Sequence, residues 1–308
     1  MLKVSLRQMS YFVAAADTGS IAEAARLLNV AQPSVSWAIL KMEEVMGLDL
    51  FVRQHARGVT PTPAGHRLLP DARVILRMAE EFEQTATAHA DELTGTLTVG
   101  CYSTLAAAFL PQVISEFARL HPKVGIEIFE GTVDGVLEQL NAGRIEIALA
   151  YDVDLPADVM KLRICSARPY ALLPEGHRLL GRPEVSLTEL CDDPFVLLSS
   201  RPAAQYFLSL FDSVGVKPQI SLTSPSFEVV RSLVAQGLGY SVLVTRPQSD
   251  LTYDGQRVYP KPLKDVLPEH NVCTVRTDAT RMTRRCSAFQ EICTRLFGGR
   301  VTGVSAVS

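Results

Sequence analysis

The side chains best suited to chemistry lie close together near the beginning of the 308-residue chain. Val35, Ile39 and Met42 recur at helical spacing, which predicts a helix with one apolar face. The opposite face and its flanks carry short polar groups, a cation and the chain's single tryptophan: Gln32, Pro33, Ser34, Ser36, Trp37, Leu40, Lys41 and Glu44. Hydroxyl, amide and ammonium groups on an exposed helix face can bond to the base edges and phosphates of DNA. We expect Trp37 to be exposed and to contact thymine methyl groups or sugars, although a plain three-helix bundle has the same periodicity.

A second set of cations follows this helix. Two short apolar segments on either side of a polar loop predict a β-hairpin, and its Arg53, His55 and Arg57 suit contacts with phosphates or the minor groove. The alternative is a solvated charged loop. The first 65 residues carry six Lys and Arg against five Asp and Glu, and the whole chain has a net charge of −3. Bulk charge therefore supports DNA binding only weakly, and the prediction depends on the pattern.

A third group of polar side chains lies at the ends of predicted strands in the last two thirds of the chain. Ligands of parallel α/β sheets bind beyond the carboxyl ends of the strands, near helix N-termini. Hydroxyls that converge there predict a site for a small effector that is a carboxylate or another anion. A single hydroxyl of this kind is more often an ordinary helix cap, and it is their convergence at several strand ends that favours a site. The predicted site residues are Ser103, Thr104, Thr132, Tyr151, Ser199, Ser200, Gln205 and Phe227.

The elements that must position the first two sets form a winged helix-turn-helix. A helix near residues 5–17 precedes a second one, which begins at an S-x-x-E capping box of Ser20 and Glu23. Pro33 suits the first turn of the third helix. Two short helices joined by about three residues are typical of a helix-turn-helix, and the predicted hairpin is its wing.

A long helix is predicted next, over roughly residues 63–90, with Thr62 as its cap. Apolar residues recur along it with alternating steps of four and three, which predicts a coiled-coil seam and hence a second copy of the chain. Dimers of this kind read paired half-sites in DNA. The alternative is a helix that packs on its own domain. The seam residues are Leu68, Ala72, Ile75, Ala79, Phe82 and Ala86.

From residue 95 onwards strands alternate with helices, which predicts two lobes built on parallel sheets. The predicted fold class is α+β overall: an all-α N-terminal winged helix-turn-helix, a long linker helix and a C-terminal two-lobed α/β effector domain. The predicted units are 1–62 for DNA binding, 63–93 for the linker and dimerisation, 94–300 for effector binding, and 301–308 as a flexible tail. Lobe I takes about 94–166 plus 269–300, and lobe II about 167–268.

The chain resembles the LysR-type transcriptional regulators. The segments AARLLNVAQPSVS, MEEVMG, LFVR and RGVTPTPAGHRLL match that family in order and spacing. The resemblance implies an effector domain of the periplasmic-binding-protein type, a dimer that often becomes a tetramer, double-stranded operator DNA as partner, and RNA polymerase as a further candidate partner. It supports Ser103, Thr104, Thr132 and Ser199 most as effector residues. Trp37 and Ala38 stand where members commonly have arginine and glutamine, so we expect an altered operator preference.

Other function classes find less support. Gly-rich phosphate loops, HExxH and GxSxG are absent from the sequence, so we expect no enzyme, no metal and no cofactor besides the effector. A redox-sensing regulator that uses Cys101, and a solute-binding protein without DNA function, remain the alternatives. The chain has no apolar run that could span a membrane and no signal-peptide pattern, so we expect a cytoplasmic protein.

Overall fold

The computed structural model describes residues 3–54, 58–85, 92–277 and 282–302. Predicted residues His55, Arg57 and Ala86 lie outside the described residues. Near the N-terminus, three helices precede an antiparallel two-stranded hairpin. Their bounds are α1 Leu6–Thr18, α2 Ile21–Leu27, α3 Gln32–Met46, β1 Phe51–Gln54 and β2 Gly58–Pro61. This is the winged helix-turn-helix arrangement that the sequence predicts.

The caps of these helices differ in part from the prediction. The Oγ atom of Ser20 accepts a bond of 3.3 Å from the backbone N of Glu23, as expected, but the backbone N of Ser20 bonds to Thr18 instead of Glu23. A complete capping box starts α1, where Ser5 and Gln8 bond to each other's backbone N–H groups. The N-terminus of α1 is therefore the more firmly defined of the two.

Helix α4, Pro63–Thr85, begins at the cap that Thr62 forms with the backbone N of Gly65, at 3.0 Å. The first part of the predicted seam is not available to a second chain, because Ala72 is buried in the N-terminal core and Leu68 packs against it. The reason is that α1 packs along the first half of α4. Ile75 and Phe82 of the seam are exposed, and Met78 joins them on the same side. An unpartnered apolar stripe therefore runs only along the second half of α4.

The remaining elements form two groups of sheets and helices. Their bounds are β3 Gly95–Tyr102, α5 Ser103–Leu120, β4 Val124–Gly131, α6 Val133–Asn141, β5 Ile147–Tyr151, β6 Val159–Ala167, β7 Tyr170–Leu173, α7 Leu187–Leu190, β8 Pro194–Leu198, α8 Ala203–Ser213, β9 Gln219–Ser224, α9 Phe227–Ala235, β10 Ser241–Leu243, β11 Tyr259–Pro262, β12 His270–Thr277, α10 Arg284–Phe297 and β13 Val301–Thr302. The chain passes between the groups twice, from β6 to β7 and from β11 to β12.

The sequence predicts parallel sheets, but the structure contains both parallel and antiparallel strand pairs. The large sheet has the order β13-β6-β12-β5-β3-β4, and β12 runs antiparallel to both β5 and β6. In the other group β10-β7-β11 is antiparallel, and β8-β9 is parallel. The antiparallel strands arise where the chain returns from one group to the other.

The expected flexible tail is wrong at its start, because Val301 and Thr302 pair with β6 as a short parallel strand. Residues 303–308 lie outside the described residues. Within the described ranges, no helix combines the length and apolarity that crossing a membrane requires.

Candidate functional sites

An open groove lies between the beginning of α1 and the exposed face of α3. One wall consists of Lys3, Ser5, Arg7, Gln8 and Tyr11, and the other of Val30, Ala31, Pro33, Ser34, Trp37, Ala38 and Lys41. The Nε2 atom of Gln8 donates a bond of 3.4 Å to the carbonyl oxygen of Ala38, which holds the two helices together. Trp37 is 67% exposed, as the sequence predicts, because its position lies opposite the buried stripe of α3. We call this surface the reading groove.

The predicted DNA-contacting residues do not all line the reading groove. Pro33, Ser34, Trp37 and Lys41 do so. Gln32 is exposed in the first turn of α3 and Ser36 is half-buried, and neither lines the groove. The ammonium group of Lys41 lies 2.8 Å from Glu44, in an exposed pair that DNA can replace.

Arg53 lies on β1, where its guanidinium group is 3.6 Å from the carboxylate of Glu43. The same carboxylate accepts bonds from the backbone N atoms of Leu50 and Phe51, at 2.8 and 3.2 Å. Glu43 thereby fixes the hairpin against α3 and sets the position of Arg53.

The sequence prediction missed the wall that α1 contributes. Lys3 and Arg7 are cations on either side of the Ser5 cap, and the guanidinium of Arg7 lies 5.8 Å from the ring centre of Tyr11. Two cations that flank a capping box next to a helix-turn-helix are a readable signal, because helix N-termini and cations both attract phosphates.

A second site is an enclosed, mostly apolar cavity between the two groups of sheets. The space inside it that a water-sized molecule can occupy is about 30 Å³, so its own side chains nearly fill it. It is lined by Tyr102, Thr104, Tyr151, Val153, Leu198, Pro202, Ala203, Tyr206, Phe207, Phe227, Leu243, Val244, Thr245 and His270. We call it the interlobe cavity. Because small-molecule sites usually have volumes of about 300 Å³ or more, an organic ligand can enter only if the two groups of sheets move apart.

Three of the eight predicted effector residues, Thr104, Tyr151 and Phe227, line the cavity. A fourth, Ser200, reaches its edge through a hydrogen bond of 3.0 Å between its Oγ atom and the hydroxyl of Tyr102. The buried hydroxyl of Thr104 adjoins the phenols of Tyr102 and Tyr151, but within the described residues its geometry completes no hydrogen bond. An unused buried hydroxyl in a cavity wall is available to a ligand.

The other four predicted effector residues lie outside the lining. The Oγ atom of Ser103 donates to the carbonyl of Gly131 at 3.0 Å, and Thr132 caps α6 by accepting from the backbone N of Gly135. Ser199 is half-buried beside the cavity. Gln205 is exposed, because one step of 100° along α8 turns Tyr206 inward in its place.

Hydrogen bonds of Tyr151 and Tyr170 meet at Thr245, and the bond of Tyr151 joins the two groups of sheets beside the cavity. The hydroxyls of Tyr151 and Thr245 are bonded to each other, and the hydroxyl of Tyr170 donates to the carbonyl of Thr245 at 3.0 Å. Burial raises the pKa of Tyr151 and also that of Tyr102. Both phenols therefore stay neutral near pH 7 and can donate hydrogen bonds.

His270, which lies beside Asp152, is a functional candidate that the sequence prediction missed. The Nδ1 atom of His270 lies 3.4 Å from Asp152, and the ring contacts that of Tyr206 edge to face, with centres 4.4 Å apart. Asp152 follows β5, but His270 lies 118 residues further along the chain, as the difference between their numbers shows. Their proximity depends on β12 returning beside β5, for which the sequence contains no local signal.

The cysteines are poorly placed for redox chemistry. Cys101 is fully buried, and burial raises the pKa of its thiol, which suppresses the reactive thiolate. Cys165, Cys273, Cys286 and Cys293 are buried too, and only Cys191 among the six is partly exposed. In the described residues, His, Cys, Asp and Glu side chains form no group that could hold a metal ion.

A cluster of charged residues connects the N-terminal unit to the unit with the cavity. The buried Arg73 of α4 donates both to the carboxylate of Asp17 in α1 and to the carbonyl of Ala142. Arg77, one turn later, donates to the carbonyl of Gly143 at 2.8 Å and lies 3.6 Å from Glu146. Residue 146 immediately precedes β5, whose other end is Tyr151 in the cavity wall. We call these contacts the junction.

Comparisons with known families agree across nearly the whole chain. A family model described as "Bacterial regulatory helix-turn-helix protein, lysR family" matches residues 6–66. A second, described as "LysR substrate binding domain", matches residues 90–298.

Individual relatives show the same similarity. HinK, a LysR family transcriptional regulator from Pseudomonas aeruginosa, is 38% identical, with a TM-score of 0.64 over 96% of this chain and 99% of its own. The regulator CfxR of Cupriavidus necator is 31% identical over 78% of this chain and 75% of its own length. A full-length OxyR variant from Pseudomonas aeruginosa has a TM-score of 0.77 over 94% of this chain and 98% of its own. It is only 22% identical, so it supports the fold alone.

Proposed function

The chain belongs to the LysR family of bacterial transcriptional regulators, which are DNA-binding regulators and not enzymes, and we propose that its reading groove binds operator DNA in response to a ligand in the interlobe cavity. The family that the sequence motifs indicated is thereby confirmed. We propose one function for each predicted unit: residues 1–62 bind DNA, residues 63–93 form the dimer, and residues 94–300 bind the effector.

The observation that carries the proposal is the exposed indole of Trp37 in the wall of the reading groove. An exposed tryptophan between polar side chains on the third helix of a helix-turn-helix can contact thymine methyl groups in the major groove. We propose that Gln32, Pro33, Ser34, Ser36 and Lys41 contact bases and phosphates beside it. Arg53 and Arg57 of the wing are proposed phosphate or minor-groove contacts, and Lys3 and Arg7 add phosphate contacts from α1.

The proposed effector is a small molecule with an anionic group, such as a carboxylate. The lining contains no Lys or Arg, so hydroxyl donors at Tyr102 and Thr104 and the imidazole of His270 must bind such a group. Ser103, Thr132, Ser199 and Gln205 stay candidates for a form of the protein in which the two groups of sheets have moved.

We propose that the exposed stripe of Ile75, Met78 and Phe82 on α4 packs against a second copy of the chain. A dimer presents two reading grooves to paired half-sites. A tetramer of two dimers would present four. RNA polymerase is a proposed further partner on the promoter. An effector then acts by binding two arrangements of the assembly with different affinities.

The test is gel retardation of DNA from around the protein's own gene by the purified full-length chain at low salt. We expect retardation at nanomolar to micromolar protein that weakens steeply as salt is raised. Loss of retardation in a variant with both Trp37→Ala and Lys41→Ala supports the groove as the site. Failure of the unaltered protein to retard any of this DNA contradicts the proposed function.

A further inference from the structure

The interlobe cavity contains one side chain that can carry a positive charge. His270 lies in a wall otherwise formed by aromatic, aliphatic and hydroxyl side chains. We infer that His270, oriented by Asp152, selects the charge of the effector, and that the effector is a small aromatic compound with one acidic group. This inference deepens the proposed function, and it depends on the cavity being the effector site.

Asp152 is held as a fixed acceptor beside the imidazole. Its two carboxylate oxygens accept bonds from the backbone N and the side-chain Nδ2 of Asn271, at 2.8 and 2.7 Å. One of these oxygens lies 3.4 Å from Nδ1 of His270. A carboxylate at this distance favours a proton on Nδ1 and leaves Nε2 without one in the neutral ring. Within the described residues Nε2 has no hydrogen-bond partner, so it can accept a proton from a ligand.

The proton balance follows from this arrangement. When an acidic ligand enters with its proton, the ligand's O–H bond breaks, an N–H bond forms at Nε2, and the anion remains beside a cationic imidazole. When the ligand enters as the anion, His270 takes the proton from the acid form of the buffer, which is left as its conjugate base. In both cases the anion, the imidazolium and the carboxylate of Asp152 form a partly buried row of alternating charges, since the side chains of His270 and Asp152 are 25% and 19% exposed. A cavity without Lys or Arg can hold a carboxylate in this way.

The other charged and titratable groups around His270 do not replace it in this role. Tyr206, which contacts the imidazole ring, is a phenol whose pKa burial raises. Tyr151 is likewise neutral, since burial also raises its pKa. The adjacent Glu269 is paired with Arg168 at 2.6 Å on the surface. Only the imidazole is left to match a negative charge.

The other side chains that line the cavity favour an aromatic ligand. The rings of Tyr206, Phe207 and Phe227 and the side chains of Leu198 and Leu243 surround the space next to His270. Aromatic walls favour a flat ring in stacked or edge-to-face contact.

Calorimetric titration of the full-length protein tests the inference, with benzoate and phenylacetate as probes and with benzamide and phenylacetamide as matched neutral probes. Measurements at about pH 8 use two buffers that differ in ionisation enthalpy, so that proton uptake is measured directly. We expect a carboxylate to bind at least about tenfold more tightly than its amide, with uptake of up to about one proton.

His270→Gln keeps a hydrogen-bonding side chain but cannot become a cation. We expect it to abolish proton uptake and to reduce the preference for the carboxylate over the amide to near unity. His66→Gln, at an exposed position on α4, is the matched control and should change neither quantity.

Two results overturn the inference. One is that neither carboxylate binds the unaltered protein at about 10 mM, a concentration that detects even very weak binding. The other is that carboxylate binding proceeds without proton uptake in the unaltered protein, or with the same uptake in His270→Gln. Gel retardation without added ligand separates this failure from failure of the proposed function, because it does not involve the cavity.

Discussion

The reading groove and the interlobe cavity use polar groups in opposite ways. In the groove the side chains of Ser34, Trp37 and Lys41 face solvent, and none of the three is buried in the core. In the cavity the hydroxyls of Tyr151 and Thr245 bond to each other across the two groups of sheets. A change in the groove should therefore alter binding with little loss of stability, whereas a change in the cavity wall should alter both. Binding a large polyanion needs an open surface, whereas selecting a small molecule needs an enclosed one.

The largest expected effect tests whether the two regions are separate units. In Gly65→Ala the new Cβ would lie 2.3 Å from the carbonyl oxygen of Leu50, which is backbone and cannot move easily. We expect the N-terminal unit to lose about 3 kcal/mol of stability. DNA retardation should be lost, while calorimetric binding of ligand in the cavity is unchanged.

Gly47→Ala is the control for this change. Gly47 has φ +67 and nothing within 4 Å of an added Cβ, so only the backbone conformation is strained. The expected cost is about 1 kcal/mol. Equal losses in the two variants, measured by chemical denaturation, would contradict the steric argument.

The next prediction concerns the open surface alone. Trp37→Ala should weaken binding of the preferred DNA by about 2 kcal/mol, or about 30-fold, and change the free energy of unfolding by less than about 0.5 kcal/mol. Leu27→Ala is the control, because Leu27 is 65% exposed but does not line the groove. Fluorescence anisotropy of labelled DNA measures the effect. If Trp37→Ala unfolds the protein, the assignment of the indole to a binding surface is wrong.

The sequence predicts a region well when its residues lie on one element, and poorly when they come from distant parts of the chain. The residues of α3 share one face of one helix, so periodicity was enough to place Trp37 outside the core. Lys3 and Arg7 needed the packing of α1 on α3, which no local pattern contains. The cavity combines strand ends and helix starts between residues 102 and 270, so strand-end positions found Thr104 and Tyr151 but missed Tyr102, Tyr206 and His270. Antiparallel β12, which brings in His270, breaks the parallel pattern that the prediction assumed.

The third prediction concerns the junction that connects the two regions. Arg73→Met removes a buried guanidinium from Asp17 and Ala142, and we expect a loss of about 2 kcal/mol, since Asp17 is half exposed and can hydrate. If the junction carries the coupling, ligand in the cavity should no longer change DNA affinity, although both still bind. Arg67→Met, an exposed change on the same helix, is the control. If ligand in the cavity still changes the DNA affinity of Arg73→Met, the junction does not couple the two sites.

The smallest expected effect lies in the cavity wall. Tyr151→Phe removes the hydroxyl that bonds to Thr245, and we expect thermal and chemical denaturation to show a loss of about 1 kcal/mol. DNA binding without ligand should be unchanged. Tyr253→Phe is the control, because Tyr253 is 89% exposed. A loss of DNA affinity in Tyr151→Phe alone would contradict the separation of the two regions.

The most direct test of the central claim is to map the DNA that the protein occupies in cells. A ligand-responsive regulator should give a limited set of discrete sites, and these should contain paired half-sites spaced by about one helical turn or its multiples. The same map for the combined Trp37→Ala and Lys41→Ala variant, produced at equal level, should lose those sites. Occupancy no higher than in cells without the protein, or a map that the variant leaves unchanged, would contradict the claim that the reading groove binds operator DNA.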